Sequence, residues 1–295
     1  MKTPVFTGSA VAIVTPFRDG KVDFNKLGKL VDTQIEQGTQ AIVVCGTTGE
    51  ASTLNDGEHL GTVGYVVKRA AGRVPVIAGT GSNDTEHALY LSQEACHLGA
   101  DALLVVTPYY NKTTQHGLVK HYYYIADRVD KPIILYHIPA RCVMGYTLDT
   151  YKELAKHERI VGVKEASGDF KMIAQIRAHL GDDMLVWSGN DNETLPIMAL
   201  GGLGVISVAT NIIPAEMQAI CKLWLDGKVK ESEERFLKAI PLLDALGYEV
   251  NPIPVKAAMN LLGMDVGVCR MPLCDMLPKN LEMLKTVMKD YGLAV

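Results

Sequence analysis

The chain has 295 residues, of which 48% are hydrophobic and 21% charged, and 29 Lys plus Arg are nearly balanced by 33 Asp plus Glu. At about 150 residues per domain this length predicts two ordinary domains, or one α/β barrel of about 250 residues with an addition. The formal net charge of −4 argues against a nucleic-acid or polybasic membrane surface, because both need clustered cations. No polar low-complexity tract is present, so the composition indicates a globular chain.

The cysteine pattern and the N-terminus indicate a cytoplasmic protein. The six cysteines include no Cys-x-x-Cys pair, and their spacing matches neither a zinc site nor a disulfide framework. We therefore expect reduced, mostly buried thiols. Residues 1–10 lack the basic region and the long apolar run of a signal peptide.

One uncharged segment, residues 194–215, is long enough to span a bilayer. It contains prolines at positions 196 and 214 and glycines at 201, 202 and 204. This composition predicts a short helix, a glycine turn and a buried strand rather than a membrane-spanning helix.

Eight short apolar runs recur along the chain and predict parallel strands. Most are rich in Val and Ile without polar alternation, as expected for strands that are buried on both faces. They cover residues 10–15, 41–45, 74–78, 102–107, 133–136, 160–163, 185–187 and 205–208. Amphipathic helical segments lie between them, for example residues 24–37 and residues 85–98, with Asn83 and Asp84 as candidate caps and Gly99 at the end.

Eight strand–helix units form either an open doubly wound sheet or a closed (β/α)8 TIM barrel. The count of eight and the unit length of about 20 to 34 residues favour the barrel. After Val208 only helical patterns remain, over residues 215–226, 230–246, 254–262 and 280–291. The predicted organisation is a barrel with the active site over residues 1–225 and a C-terminal helical extension, packed on the barrel, over residues 226–295.

Lys164 is the first candidate catalytic residue, because barrel active sites are built at the C-terminal ends of the strands. It follows the apolar run at 160–163, so its amine is expected at the barrel mouth between apolar walls. Desolvation lowers the pKa of a lysine, and a neutral amine can form a Schiff base with a ketone. A solvated lysine paired with Glu165 is the alternative that the spacing leaves open.

Three other features lie at predicted strand ends. The phenol of Tyr136 can act as a proton relay, or it can be a core tyrosine with a satisfied hydroxyl. Arg141 offers a planar fork for a substrate carboxylate, or it forms a surface ion pair. The loop at residues 46–49 combines backbone N–H groups with two hydroxyls, which suits an anion, although the lysine of a P-loop is missing.

Metal-dependent chemistry finds little support in the sequence. Of the eight histidines only His137 lies at a predicted strand end, and neither His-x-His nor His-Glu-x-x-His occurs. We therefore expect no metal site.

Six motifs follow one another in a characteristic order: GTTGE at 46–50, VVTPYYN at 105–111, YHIPAR at 136–141, GVKEASG at 162–168, GVISV at 204–208 and NPIPVK at 251–256. Together they resemble the 4-hydroxy-tetrahydrodipicolinate synthase (dihydrodipicolinate synthase) family, which belongs to the N-acetylneuraminate lyase superfamily of class I aldolases. The resemblance extends from about Phe6 to the C-terminus.

The resemblance implies a reaction and a set of catalytic residues. The reaction is the condensation of pyruvate with L-aspartate 4-semialdehyde, on the diaminopimelate route to lysine. Lys164 would hold pyruvate as a covalent imine, without any other cofactor. Tyr136, Thr47 and Tyr110 would form a proton relay, in which Tyr110 is lent across a tight dimer interface. A homo-oligomer is therefore expected, in the form of a dimer of dimers.

The resemblance also implies substrate-binding residues. Thr48 and the Ile206 backbone would hold the carboxylate of pyruvate, with Gly189 as a further contact. Arg141 would bind the carboxylate of the semialdehyde.

The chain departs from the family pattern near the expected pocket for the second substrate. The family usually has Asn after the strand-end tyrosine and Thr-Gly after the arginine, where this chain has His137 and Cys142-Val143. Aromatic residues usually precede the Asn-Pro-Ile-Pro motif, where Gly247 and Tyr248 stand. These changes bear on the choice of aldehyde, and Cys142 is expected to be a packing residue.

Feedback inhibition by lysine is expected to be weak or absent. His59, Asn83 and Tyr109 match the family's inhibitor site, whereas other positions differ. Ser, His and Glu of lysine-sensitive members are replaced by Ala51, Asp56 and His87. Loss of the glutamate removes the anion expected to pair with the amine of the ligand.

Two other functions are less consistent with the sequence. A lyase resembling N-acetylneuraminate lyase would carry Ser-Thr where this chain has Thr47-Thr48, and Glu165-Ala166-Ser167 after the lysine also disfavours it. A non-catalytic barrel that binds a 2-keto acid would be expected to lack the lysine or the relay residues, and this chain retains all of them.

Overall fold

The computed structural model describes residues 1–295 and contains a closed barrel of eight parallel strands. The barrel strands are β1 (Gly8–Ala12), β4 (Ala41–Val44), β5 (Val76–Gly79), β6 (Ala102–Val106), β7 (Ile133–His137), β8 (Ile160–Glu165), β9 (Leu185–Ser188) and β10 (Gly204–Ser207). The short strands β2 (Phe17–Arg18) and β3 (Lys21–Val22) form a separate antiparallel ribbon. Around the barrel the order is β1-β10-β9-β8-β7-β6-β5-β4. The predicted TIM barrel is confirmed.

All eight predicted strands are present, with ends that differ by up to three residues. The most useful difference is in β8, which continues through Lys164 and Glu165 because both residues pair with the neighbouring strands. The β2–β3 ribbon is not predicted by the apolar runs, since its strands have only two residues each. Its turn, Asp19-Gly20, has positive φ at both residues and is a recognised hairpin signal.

Twelve helices accompany the strands. They are α1 (Phe24–Glu36), α2 (Asp56–Ala70), α3 (Thr85–His97), α4 (Gln115–Ala126), α5 (Pro139–Cys142), α6 (Leu148–Leu154), α7 (Phe170–Leu180), α8 (Thr194–Ala199), α9 (Pro214–Leu225), α10 (Val229–Ala245), α11 (Ile253–Leu261) and α12 (Pro278–Tyr291). Asp84 caps α3 as predicted, by accepting a hydrogen bond from the Glu86 amide. The uncharged segment at 194–215 divides into α8, a turn and β10, and none of the helices has both the length and the apolar character needed to cross a membrane.

Successive side chains of each strand point to opposite faces of the sheet, so the core consists of an inner set inside the barrel and an outer set facing the helices. Side chains inside the barrel are mostly small or aliphatic, and Trp187 fills part of the interior by stacking on Phe6 at 5.3 Å between ring centres. The outer set joins the strands to the surrounding helices. Because successive residues face opposite sides, Tyr136 belongs to the inner set while its neighbour His137 packs outside.

The helices α10, α11 and α12 pack against the barrel through one apolar cluster. This cluster contains Met217 and Ile220 of α9, Leu242 of α10, Met259 of α11 and Leu284 of α12. The predicted boundary after residue 225 falls at the end of α9. Since the apolar cluster spans that boundary, the division into two units stays a prediction.

We predict that Gly204→Ala opens the seam at which β1 and β10 close the barrel. Gly204 has φ +143°, and an added Cβ would lie 1.8 Å from the Gly8 carbonyl oxygen. We expect a loss of about 2–4 kcal/mol in the free energy of unfolding, measured by urea titration. Gly72→Ala is the matched control, because Gly72 has φ +72° with no atom within 4 Å of the added Cβ. It should cost only about 1 kcal/mol, and equal losses would contradict the prediction.

Candidate active site

A cavity of about 440 Å³ opens at the end of the barrel where the strands β4 to β7 finish. Thr47 after β4, Tyr136 of β7, Arg141 of α5 and Asn251 line it, so the strand ends of the barrel and the C-terminal extension meet around one space. This is the end of the barrel where TIM-barrel enzymes carry their catalytic groups.

Lys164 lies on the inner face of β8 and is only 5% exposed. Its Nζ atom is 4.3 Å from the ring centre of Tyr136, the residue paired with it on β7. Burial lowers the pKa of Lys164 to about 8, the nearby Asp191 carboxylate opposes this shift, and Arg141 adds to it. Glu165, the alternative partner, binds His137 on the other face of the strand instead. The structure therefore favours the reactive amine over the solvated ion pair.

Tyr136 lies beside Lys164, and Thr47 lines the same cavity as Tyr136. Burial raises the pKa of Tyr136 to about 12, against the opposing effects of Arg141 and of a hydrogen bond with the Thr47 side chain. The phenol is therefore protonated at neutral pH and can pass a proton only through a partner. Thr47 supplies one such hydroxyl at the cavity wall.

Asp191 is a charged neighbour of Lys164 that the sequence patterns do not single out. Its Oδ2 atom accepts hydrogen bonds from the amides of Val208 and Ala209 at 3.0 and 2.9 Å, and its Oδ1 atom is buried without a partner. Burial raises the pKa of Asp191, and these bonds and the Lys164 ammonium oppose the shift. Its position directly after β9 is a signal that could have found it, because that is where barrel sites gather.

The predicted pyruvate-binding residues lie in or after three different barrel strands, and no ligand contact tests their roles. The Thr48 hydroxyl accepts a hydrogen bond of 3.0 Å from Asn251 Nδ2. Ile206 is buried in β10. Gly189 follows β9, and a Cβ there would lie 3.1 Å from Lys164 Cε and 2.8 Å from Ala166 Cβ. Gly189 thus provides room for the lysine side chain.

Arg141 extends from the short helix α5 into the cavity wall. It forms no ion pair with a carboxylate of this chain, and one amine of its guanidinium donates a 3.0 Å hydrogen bond to the Asn251 carbonyl. The remaining donors of its fork are therefore available to an anionic ligand.

Tyr110 stands apart from the other predicted relay residues. It is 91% exposed and has φ +67°, an unfavourable conformation for an aromatic residue, and it does not line the cavity. Within a single chain the site therefore contains the hydroxyls of Tyr136 and Thr47 but not the third one.

The expectation that His137 lies near the second-substrate pocket is wrong, because strand alternation turns it away from the cavity. Its Nδ1 atom lies 2.9 Å from Glu165 Oε2, which also accepts from the Tyr151 hydroxyl at 3.2 Å. Cys142 does line the cavity and is buried, in agreement with a packing role. Val143 is 69% exposed and lies outside it. Gly247, in the turn after α10, does not line it either.

Two of the three residues that match the family's inhibitor site line the same cavity. They are His59 and Tyr109, and burial lowers the pKa of His59, whose Nε2 is 2.9 Å from the Gly79 carbonyl oxygen. Asp56 Oδ1 and His87 Nε2 lie 3.0 Å apart. Asn83 lies outside the cavity lining, and its carbonyl accepts a hydrogen bond from Asn111.

No group of three His, Cys, Asp or Glu side chains is arranged to hold a metal ion. The candidate site instead offers one amine, two hydroxyls, a guanidinium and a carboxylate, a set suited to imine chemistry and to anionic substrates.

The closed barrel and the buried strand-end lysine with its lowered pKa define the class: an aldolase-type lyase of class I. A family model described as the dihydrodipicolinate synthetase family matches residues 5–291. The chain is 53% identical over 291 residues to the 4-hydroxy-tetrahydrodipicolinate synthase of Thermoanaerobacter sp. (strain X514). The matched region covers 98% of each chain. The chain therefore belongs to the dihydrodipicolinate synthetase family, and the membership predicted from the motifs is confirmed.

Two solved structures are similar to this chain over almost its whole length. The chloride-inhibited dihydrodipicolinate synthase from Acinetobacter baumannii, complexed with pyruvate, is 43% identical with a TM-score of 0.95, covering 98% of this chain and 99% of that one. The enzyme from Cyanidioschyzon merolae with lysine bound is 38% identical with a TM-score of 0.96, covering 99% and 100%.

Proposed function

We propose that this enzyme condenses pyruvate with L-aspartate 4-semialdehyde to give 4-hydroxy-tetrahydrodipicolinate, in the diaminopimelate route to lysine. The observation that carries the proposal is the amine of Lys164, buried on the inner face of β8 with a pKa of about 8 and placed 4.3 Å from the Tyr136 ring centre. The similarity to synthases of this reaction over the full chain supports the choice of substrates.

Imine formation is the first step that the site can perform. The neutral Nζ of Lys164 attacks the keto carbon of pyruvate, and the resulting carbinolamine loses its hydroxyl as water once a proton is delivered. Tyr136 and Thr47 lie where they can carry that proton. The imine then acts as an electron sink, so that the pyruvate methyl group loses a proton and becomes an enamine carbon nucleophile.

Addition of the aldehyde and ring closure complete the reaction. The enamine carbon attacks the aldehyde carbon, whose oxygen takes a proton from the relay. The amino group of the former semialdehyde then attacks the imine carbon and displaces Lys164, which leaves as an amine. Arg141 binds the carboxylate of the semialdehyde through its available donors and orients the molecule.

A second subunit completes the relay in this proposal. Tyr110 is exposed in the single chain and reaches no other relay residue, whereas an aromatic side chain on a surface is suited to a subunit interface. We therefore propose a tight homodimer that exchanges Tyr110 side chains, paired into a dimer of dimers. We place the enzyme in the cytoplasm, in keeping with its six unpaired cysteines.

The decisive experiment is borohydride trapping with pyruvate, followed by peptide mass spectrometry. We expect one adduct, on Lys164, and none in Lys164→Ala. The trapping rate should rise about tenfold per pH unit below pH 8 and level off above it, because only the neutral amine attacks. An adduct on another lysine would contradict the assignment. A coupled assay with aspartate semialdehyde, run beside N-acetylneuraminate cleavage, then separates the synthase from the lyase.

The exchange of Tyr110 predicts complementation between two defective variants. Tyr110→Phe and Lys164→Ala should each have low activity, but a mixed dimer contains one site with both residues intact. Equal co-expression should recover about a quarter of the parent activity, because half of random dimers are mixed and each has one complete site of two. The measurement is the coupled assay on purified mixtures. Activity no higher than the mean of the two separate variants would contradict the exchange.

Weak inhibition by lysine remains a prediction. The carboxylate that remains at this site, Asp56, has its Oδ1 atom 3.0 Å from His87 Nε2, so an incoming ammonium group must compete with the imidazole for it. A lysine titration of the initial rate should show little inhibition below millimolar concentration. The double variant Asp56→His, His87→Glu restores two of the three residues of lysine-sensitive members and should strengthen inhibition. Strong inhibition of the parent by submillimolar lysine would reject the prediction.

A further inference from the structure

A buried ion pair joins the C-terminal extension to the loop that carries Thr47 and Thr48. Lys256 Nζ in α11 lies 2.6 Å from Glu50 Oε1, and both residues are 2% exposed. The other carboxylate oxygen of Glu50 accepts a 2.8 Å hydrogen bond from the Arg270 amide. Both oxygens of Glu50 are therefore held by the extension.

We call the ion pair between Lys256 and Glu50 the anchor. Only a single tight turn separates it from Thr47. Glu50 has φ +55°, in the left-handed region, and its amide donates a 3.0 Å hydrogen bond to the Thr47 carbonyl. The carbonyl of the intervening Gly49 accepts a 2.7 Å bond from the Thr15 hydroxyl. A displacement of Glu50 would therefore shift the backbone of Thr47 directly.

The same part of the extension also contacts the two predicted carboxylate-binding residues. Asn251, just before α11, donates to the Thr48 hydroxyl oxygen at 3.0 Å, and its carbonyl accepts from Arg141 at 3.0 Å. Because Asn251 is the donor to Thr48, the hydroxyl hydrogen of Thr48 is free to point to a ligand. The extension thus supports the cavity at three points: Glu50, Thr48 and Arg141.

Lys256 has more partners than packing alone would require. Its ammonium also donates to the Val268 carbonyl at 3.1 Å and lies 4.3 Å from the ring centre of Phe17. A buried ion pair is costly to desolvate, and hydrophobic residues of similar volume often stabilise a fold equally well. Stability alone therefore does not explain why Lys256 and Glu50 carry charges at this place. A role in fixing the position of the Glu50 turn does explain it.

We propose that Lys256 is a positioning residue for the binding of pyruvate: it holds Glu50, and Glu50 sets the position of the loop that carries the Thr48 hydroxyl, which binds the substrate carboxylate, and the neighbouring Thr47 hydroxyl. This inference rests on the proposed function for the identity of the substrate. It assigns part of the catalytic geometry to the extension, more than 90 residues beyond Lys164 along the chain.

The test begins with Lys256→Met, measured by initial rates and by amide hydrogen exchange. We expect the KM for pyruvate to rise about tenfold, while the KM for the aldehyde changes by less than about twofold, since the loss of a charged hydrogen bond falls on one substrate. Exchange of the amides at residues 47–51 should accelerate. Leu284→Ala is the matched control: it removes a buried side chain from α12 of the same extension and should leave the pyruvate KM unchanged.

A double variant separates positioning from stability. Glu50→Gln with Lys256→Met removes both charges, so no unpaired ion is left buried and unfolding should occur close to the parent midpoint. The pyruvate KM should nevertheless stay raised, because the anchor is still missing. A double variant that regains the parent KM, or a Lys256→Met variant with unchanged KM and loop exchange, would overturn the proposal. If the proposed function is wrong, the parent enzyme forms no adduct with pyruvate. Amide hydrogen exchange at residues 47–51 still tests the anchor in that case.

Discussion

The exclusion of water from the Lys164 amine is the constraint on which the rest of the site depends. An exposed lysine is almost fully protonated at neutral pH and cannot attack a ketone, whereas burial inside the barrel lowers its pKa to about 8. Asp191 keeps this shift within limits, because its carboxylate favours the ammonium form. The barrel walls and one nearby carboxylate together bring the pKa of this amine near neutral pH, where both of its proton forms coexist. The proposed attack on pyruvate and later departure from the product require both forms.

Strand alternation lets one pair of neighbouring strands carry two different polar pairs. On the inner face of β7 and β8, Tyr136 stands beside Lys164, and one residue later His137 stands beside Glu165 on the outer face. The outer pair is buried, and the Tyr151 hydroxyl also donates to its carboxylate. Its hydrogen bonds join the two strands in the register that also aligns the inner pair. The departure from the family pattern at position 137 therefore affects the support of the barrel rather than the cavity.

Most of the fold could be predicted from local patterns, because buried parallel strands and amphipathic helices each repeat within a few residues. The same patterns identified Lys164, Tyr136 and Arg141, which follow strand ends directly. Contacts between distant segments could not be predicted in this way: Lys256 and Glu50 are 206 positions apart. The side of the strand taken by His137 could have been predicted from a period of two counted from Tyr136, although its motif position led to the expectation of a place near the cavity. Tyr110 is exposed and lies away from the cavity in one chain, so its proposed place in the relay could be derived neither from the sequence pattern nor from a single chain.

The contact between Lys256 and Glu50 has a consequence for the order of events during synthesis. The N-terminal part of a chain leaves the ribosome first during synthesis. When α9 has emerged, all eight barrel strands and Lys164 are available, but Asn251, Lys256 and Arg270 have not yet followed. The nascent barrel therefore contains its proposed nucleophile before it contains the support of the loop at Thr47 and Thr48. With the role proposed for Lys256, competence to bind substrate arrives only when the C-terminal extension has packed on the barrel.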